Sequence, residues 1–486
     1  MNSKFLPLLT VGLGTVVSCN QSPKSGEADK PNLLIIHTDE HSFRTLSCYQ
    51  NQLPESEGFV WGAGCNVKTP NIDRIAAEGA ICMSYYCAAP VSTPSRAAMV
   101  SGLYSQETDA WKNDIHIRKD IPTFASILRE NGYSTSYVGK WHLAGHTDQY
   151  TFDPEYDGGF TDKKFMMNKG HSPYFELDKE GNVLGAVNQN QLDKVKERGN
   201  SYIHLTDFFT DKTLDILKRD KDKPFCVMLS IPDPHTPDYA RPPYHNMYDD
   251  MNPTMPESMK PEHANKRPAW ALSNKNEPES FNPAPLKQYF GMVKHIDDSV
   301  GRLLSYLEEV GELDNTIVLF TSDHGEMFYE HKRMNKGNPY EAAARIPFVI
   351  RYPKSINKGT VIDKAMCNVS FTPTMLGLMG VDTDATFSGT NDAADFTSNQ
   401  ISDPHRICFY AASASGWVAA VDNQYKLIIS TNEEPWLLDL DNDPNEYNNI
   451  YKDPKYKDVV GRLQTALKKE LSEHKLVADG TTLIFE

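Results

Sequence analysis

The sequence predicts an α/β fold: a large, mostly parallel sheet flanked by helices, with a smaller C-terminal α+β subdomain. Three observations carry this. Short unbroken apolar runs, such as Leu33-Leu34-Ile35-Ile36 and Ile317-Val318-Leu319-Phe320, read as strands buried on both faces, the habit of parallel sheets. These runs alternate with helical stretches, the pattern that covers a parallel sheet on both sides. After about Asp403 the style changes to short strands in hairpin-like succession.

In chain order, Pro31 to Thr38 is the first strand and ends in Asp39-Glu40-His41. Ile72 to Gly79 reads as a helix. Ser95 to Val100 is helix-compatible, with Pro94 suited to a first-turn position. Ser92 then falls at a helix N-terminus, where free N–H groups and the positive dipole end favour an anion. Thr123 to Asn131 is helical, and Thr135 to Val138 is a strand ending in Gly139-Lys140-Trp141-His142-Leu143. A helix at Thr210 to Arg219 precedes the strand Phe225 to Leu229, which runs into Ser230-Ile231-Pro232-Asp233-Pro234-His235-Thr236-Pro237. Tyr239 to Pro285, crowded with Pro, Asn and Met, is a long loop excursion over the site; loops of that length often carry function. Tyr289 to Val310 is a broad amphipathic helix, and Thr316 to Ser322 is a strand ending in Asp323-His324-Gly325-Glu326. Arg333 to Glu341 precedes the strand Ile346 to Ile350, and Val369 to Gly380 is helical. Strands at Ile407–Ala412, Trp417–Val421, Lys426–Ser430 and Trp436–Leu440 lead to an amphipathic helix, Asp458 to His474. The expected division is residues 31–402 for the catalytic domain and 403–486 for the C-terminal subdomain, with no internal repeat.

Open α/β sheets build their sites at the carboxyl ends of strands. One Asp at a strand end is commonly a turn residue. Two strand ends carrying Asp39-Glu40 and Asp323-His324 instead suggest a hard divalent cation with oxygen ligands, most simply calcium. Ser92 is a different matter, because an unassisted serine is a weak nucleophile. No G-x-S-x-G elbow surrounds it, which argues against an ordinary serine hydrolase.

The run Ser92-Thr93-Pro94-Ser95-Arg96-Ala97-Ala98-Met99-Val100-Ser101-Gly102 resembles the signature of the formylglycine-dependent sulfatases, S/C-x-P-S-R-x-x-x-x-T/S-G. These are type I sulfatases of the alkaline-phosphatase-like superfamily. The match is full at Ser, Pro, Ser, Arg and Gly, and Ser101 keeps the hydroxyl of the commoner Thr. The resemblance extends in motif order to the C-terminus. Residues 139–143 resemble the family's G-K-W-H-L element, residues 234–237 its P-H-x-P turn, and Leu440-Asp441-Asn442-Asp443-Pro444 its D-x-x-D-P turn.

The resemblance implies that Ser92 is oxidised to formylglycine (3-oxoalanine). One hydroxyl of the hydrated aldehyde then attacks the sulfur of a sulfate ester, and the other collapses to expel sulfate. It implies one calcium per chain, held by Asp39, Glu40, Asp323, His324 and residue 92. Glu40 departs from the commoner second Asp. Arg96, Lys140, Lys336 and the metal would stabilise developing negative charge, usually the largest catalytic contribution. Lys140, His235 and Lys336 would bind substrate. Sugar alkoxides leave poorly, so His235, sharing the task with Lys336, is the implied acid and His142 the implied base. A signature that opens with Ser implies dependence on an anaerobic, radical-type maturase.

The first residues bear on destination. Met1 to Lys4 carries one positive side chain, and Phe5 to Val17 is apolar but too short to span a bilayer as a helix. Val16-Val17-Ser18-Cys19 resembles a bacterial lipobox, so 1–19 is expected to be a lipoprotein signal, with Cys19 lipidated and 20–30 a flexible tether. The expected partner is then the membrane, through the lipid anchor only, in the periplasm or at the cell surface. The seven other cysteines form no close pairs and suggest no disulfide scaffold. A hydrophobic share of 39% suits a globular chain of 486 residues, and a net charge of −16 argues against nucleic acid as partner. The expected substrate is a sulfated carbohydrate of host or algal glycans, with His116, Arg118, His331 and Arg333 as candidate sugar readers. The alternatives are a phosphodiesterase or phosphonate hydrolase on the same scaffold, and a catalytically dead glycan-binding relative.

Overall fold

A computed structural model describes Met1 and residues 30–145, 150, 152, 154–272, 276–398, 401–412 and 416–486. The expected signal segment after Met1, with Cys19, and all of the tether but Lys30 lie outside the described residues. Pro31–Glu486 forms one compact unit.

The chain runs through β1 (Asn32–Thr38), β2 (Ala80–Tyr86), β3 (Ser134–Lys140) and β4 (Asp162–Met167), then β5 (Tyr174–Leu177), β6 (Val183–Val187) and β7 (Ser201–His204). It continues with β8 (Phe225–Ile231), β9 (Thr316–Ser322), β10 (Phe348–Arg351) and β11 (Thr360–Cys367). Eight of these strands form the main sheet in the order β11-β2-β10-β9-β1-β8-β3-β4, parallel except for β10. Thr38, at the end of β1, lies level with Ile231 of β8 and Ser322 of β9. The segments after those three strands therefore leave the sheet at one height, which brings Asp39, His235 and Asp323 within reach of one another.

The sheet is two-faced in its side chains but apolar on both. All seven residues of β1 are buried. Leu34, Ile36, Val227, Leu229, Val318 and Phe320 point to one core; Leu33, Ile35, Cys226, Met228, Ile317 and Leu319 point to the other. This is the two-residue period of a pleated strand, covered by helices on each side. The first core is closed by α1 (Pro70–Glu78), and later by α3 (Leu205–Asp220) and α4 (Pro283–Glu309). The second is closed by α2 (Ser92–Ser101), through Ala97, Met99 and Val100, and by the helix Phe124–Glu130.

Two helices begin earlier than their sequence suggests. The start of α4 is Pro283, six residues before Tyr289: Asn282 caps it by accepting the Ala284 N–H (3.1 Å), and proline is tolerated in a first turn. The start of α3 is Leu205, where the His204 ring accepts the Thr206 N–H, an unusual cap that gives no composition signal. The small sheet β6-β5-β7 and the edge strand β4 were not expected; β4 opens with Asp-Lys-Lys and so lacks a buried strand's pattern. Among the described residues, 239–282 hold only short turns and the four-residue helix Pro261–Ala264, as a loop excursion would, and the last three residues of the expected loop, 283–285, belong to α4.

The C-terminal strands β12 (Cys408–Ala412), β13 (Trp417–Val421), β14 (Tyr425–Ser430) and β15 (Trp436–Asp439) form an antiparallel meander. The closing helix α5 (Lys457–Glu473) packs Leu463 and Leu467 into its core. That core also contains Tyr86, Ala88, Tyr340 and Ala343, so the meander packs beneath the segment that follows Lys336. Among the described residues, no helix is long and apolar enough to cross a membrane.

Candidate active site

Ser92 is the first residue of α2 and is 1% exposed. Its Oγ lies 3.0 Å from His324 Nε2 and 3.5 Å from Asp39 Oδ1. His324 Nε2 is in turn 3.5 Å from Asp323 Oδ1 and 3.7 Å from Asp39 Oδ1. The His324 Nδ1–H donates to the Gly325 carbonyl (2.9 Å), which fixes the tautomer with the Nε2 lone pair facing the cluster. Each carboxylate has one oxygen committed to a cation: Asp39 Oδ2 to Lys140, and Asp323 Oδ2 to Arg96 Nε (2.8 Å). The other oxygen of Asp39 faces Ser92 and His324, and that of Asp323 faces His324. Two carboxylate oxygens and a lone-pair imidazole nitrogen, all buried and converging, fit a divalent cation.

The signature residues hold this arrangement together. Ser95 Oγ donates to the Asp323 carbonyl and accepts from Asn368 Nδ2 (2.8 Å). Besides Asp323, Arg96 donates through Nη1 to the Lys140 carbonyl (2.7 Å) and Ser230 Oγ (2.8 Å), so one side chain ties α2 to the ends of β9, β3 and β8. Its Nη2 is buried without a hydrogen-bond partner. Gly139 has φ +103°, and a Cβ there would lie 1.9 Å from the Ser230 carbonyl oxygen, so β3 must carry glycine just before Lys140. Glu40 and His142 both hold left-handed backbone (φ 63° and 59°), the kind of local strain that concentrates at sites. Tyr289 of α4 pins the Glu40 turn by donating to its carbonyl (2.7 Å) and accepting the Ser42 N–H (2.8 Å).

Electrostatics follow from this packing. Burial pushes the Asp39 carboxyl up, but Lys140, His235 and Arg96 override it and hold it well below the usual range. Burial lowers the Lys140 ammonium, with Asp39 opposing. Burial, then the charges of Lys140 and Arg96, keep His142 well below the usual imidazole range, hence neutral.

Glu40 faces another way. Its carboxylate is 3.0 Å from His235 Nε2 and 2.9 Å from Lys336 Nζ, and Lys336 Nζ is 2.9 Å from the same His235 nitrogen. The His235 Nδ1–H donates to the Thr236 carbonyl (2.8 Å), leaving Nε2 as the atom that exchanges protons. Glu326, beside Glu40, is pushed well above the carboxylate range by burial and by that neighbour's charge. The residues expected to bind metal and sulfate thus lie close together, with Ser92, Asp39, Asp323 and His324 on one side and Glu40, His235 and Lys336 on the other. His142 borders it through Asp114 Oδ1 (3.7 Å), and its carbonyl accepts the Thr93 hydroxyl (2.7 Å).

Four candidate sugar readers are placed differently. His331 is buried and stacked flat on Tyr340 (3.7 Å), and Arg333 is buried with Nη1 on the Ala271 carbonyl; both are packing residues. Arg118 pairs with Asp120 at the surface, and the His116 Nδ1–H donates to the Ile117 carbonyl (2.6 Å). Three site-lining residues had no sequence signal: Asp114, Lys169, which pairs with it, and His171, which stacks on His235. A second cluster, His204, Asp233 and His295, has a ligand-like composition. Its tautomers oppose a metal: His204 Nδ1 accepts from Thr206 N–H, so its Nε2 carries hydrogen.

The sulfatase family profile matches residues 31–381, and that of the N-sulphoglucosamine sulphohydrolase C-terminal region matches residues 329–474. The N-acetylglucosamine-6-O-sulfatase of Bacteroides thetaiotaomicron is 26% identical, over 97% of this chain and 91% of its own length. In fold, the chain is similar to a solved protein in complex with its substrate D-glucosamine-2-N,6-O-disulfate (TM-score 0.69, 24% identity, 92% and 99% covered). It is also similar to the phosphonate monoester hydrolase of Agrobacterium radiobacter (TM-score 0.71, 20% identity, 91% and 96% covered). With the family profile spanning most of the chain and a site of this construction beneath it, the protein belongs to the sulfatase family and is a sulfuric ester hydrolase.

Proposed function

We propose that this sulfatase removes sulfate from O-sulfated sugars, with N-acetylglucosamine sulfates the first class to test, using a formylglycine made from Ser92 and one calcium ion. The observation that carries the reading is the position of Ser92 between two sets of groups. His324 Nε2 and Asp39 Oδ1 face its Oγ, with Asp323 Oδ1 beside His324, while His235 Nε2 and Lys336 Nζ form a neighbouring pair. The similarity to an N-acetylglucosamine-6-O-sulfatase supports the sugar class.

When present, the aldehyde hydrate at residue 92 supplies the nucleophile, and calcium supplies positive charge at the sulfate oxygens. Asp39, Asp323 and His324 would hold the metal. The chain's own groups do the remaining work. Lys140 and Arg96 fix the two carboxylates in place. His235, oriented by its Nδ1–H bond, holds a proton at Nε2 for the sugar oxygen as the S–O bond breaks, and Lys336 at the same nitrogen can replace it. Neutral His142 accepts a proton on the opposite side. Export as a lipoprotein through Cys19, and maturation by a radical-type enzyme, belong to the same proposal.

The test is a panel of sulfated galactose, N-acetylgalactosamine and N-acetylglucosamine isomers beside a phosphonate monoester, assayed with matured protein. Preferred turnover of a sugar sulfate supports the reading. Preferred turnover of the phosphonate would move the protein to the phosphonate hydrolase alternative.

A further inference from the structure

The loop after β4 reaches the site without any motif to announce it. It is bolted to the end of β3. The His142 N–H donates to the Asn168 carbonyl (2.7 Å), the Ala144 N–H to Asn168 Oδ1 (3.2 Å), and Asn168 Nδ2 to the Gly145 carbonyl (2.9 Å). Three residues on, the His171 and Ser172 N–H groups both donate to the Tyr150 hydroxyl (3.3 and 2.7 Å). Between these anchors His171 lies on His235, ring centroids 4.3 Å apart and planes 29° from parallel. Both rings line one small cavity with Gly170, Ser172 and Pro237.

The polar contacts of His235 are at its ring edge: Nδ1 to Thr236, Nε2 to Lys336 and Glu40. Edge contacts fix rotation within the ring plane but leave tilt free. A second ring against the face removes that freedom. We infer that His171 is a positioning residue for His235: it clamps the face of the imidazole so that Nε2 stays aimed at the leaving oxygen of the sugar. The inference rests on His235 as the proton donor. Burial, with the charges of Lys140 and His235 adding, pushes the His171 imidazole down to about 2, so its ring stays neutral. A neutral π face beside a protonated imidazole attracts rather than repels.

The test uses matured wild type, His171→Ala and His171→Phe on a sugar sulfate and an aryl sulfate. A stacked aromatic pair is worth a factor of roughly three to ten. His171→Ala should lower kcat on the sugar sulfate by about that factor and change the aryl sulfate by less than about twofold, since a phenolate needs little proton donation. His171→Phe, which keeps the flat face, should restore the sugar rate. Histidine NMR gives a readout independent of turnover: the His235 ring protons should shift downfield in His171→Ala and stay put in His171→Phe. Phe as impaired as Ala, equal loss on both esters, or unmoved His235 resonances would overturn the positioning role. A wild type inactive on both esters would overturn the sulfatase reading instead, and this inference with it.

Discussion

Replacing Lys426 by Met tests whether the C-terminal meander holds the site in place. Lys426 is fully buried in β14, its Nζ 2.6 Å from Glu341 Oε1, 2.7 Å from Glu446 Oε1 and 3.0 Å from the Pro339 carbonyl. Tyr410 of β12 donates to the same carbonyl (2.8 Å), only three residues after Lys336. Methionine matches the volume but removes the charge. Glu341 and Glu446 would then face each other, with Arg345, 3.4 Å from Glu341, left as the cation paired to it. Breaking a buried pair in this way costs about 3–5 kcal/mol. With a urea slope of about 3 kcal/mol/M, the midpoint should drop by roughly 1–1.7 M. Activity should fall as well, although Lys426 touches no site residue, because one of the two side-chain anchors of the Pro339 carbonyl is lost. Adding Glu446→Gln removes one stranded carboxylate and should recover part of the stability, a coupling that a double-mutant cycle reads directly. A midpoint shift below about 0.3 M, where even a 1 kcal/mol change would register on that slope, or a double variant no better than the single one, would mean that Lys426 does not neutralise this carboxylate pair.

Three further outcomes are expected. His235→Ala should cut sugar-sulfate turnover by about 10²–10⁴-fold and an aryl sulfate far less, measured as kcat on both; equal losses would remove His235 from proton donation. Asp323→Ala should abolish activity and metal uptake, and chelator-treated wild type should recover with calcium rather than zinc in a metal-replacement assay. Burial pushes Glu330 up to about 7 despite Arg44, and a raised carboxyl stabilises the fold below its unfolded value and loses that contribution as pH rises through about 7. The melting temperature should therefore decline between about pH 5 and 8, and Glu330→Gln should flatten that decline; an unchanged slope would exclude Glu330 as the cause.

Much of the site was legible because strand ends announce themselves. Apolar runs that stop abruptly at Asp39, Lys140 and Asp323 give both the parallel sheet and the height at which chemistry collects. The relation between Glu40 and the rest was not legible: position implies a metal ligand, whereas the carboxylate closes on His235 and Lys336 at 3.0 and 2.9 Å. That depends on a left-handed turn pinned from α4 by Tyr289, a contact between residues 249 apart. Asp114, Lys169 and His171 were invisible for a similar reason. They sit on loops whose own patterns are polar, and an edge strand with a charged first half delivers two of them. His331 and Arg333 misled in the opposite direction, since proximity to a motif in sequence says nothing about whether a ring is stacked and buried.

Turnover by this mechanism depends on residue 92, and mass spectrometry of its peptide alongside sulfate release is the direct test. Co-expression with a radical-type maturase should yield a fraction of peptide lacking two hydrogens at Ser92, and sulfate release from the best sugar substrate should scale with that fraction. Ser92→Ala should be inactive. Full activity in protein whose Ser92 is intact would contradict the account at its centre.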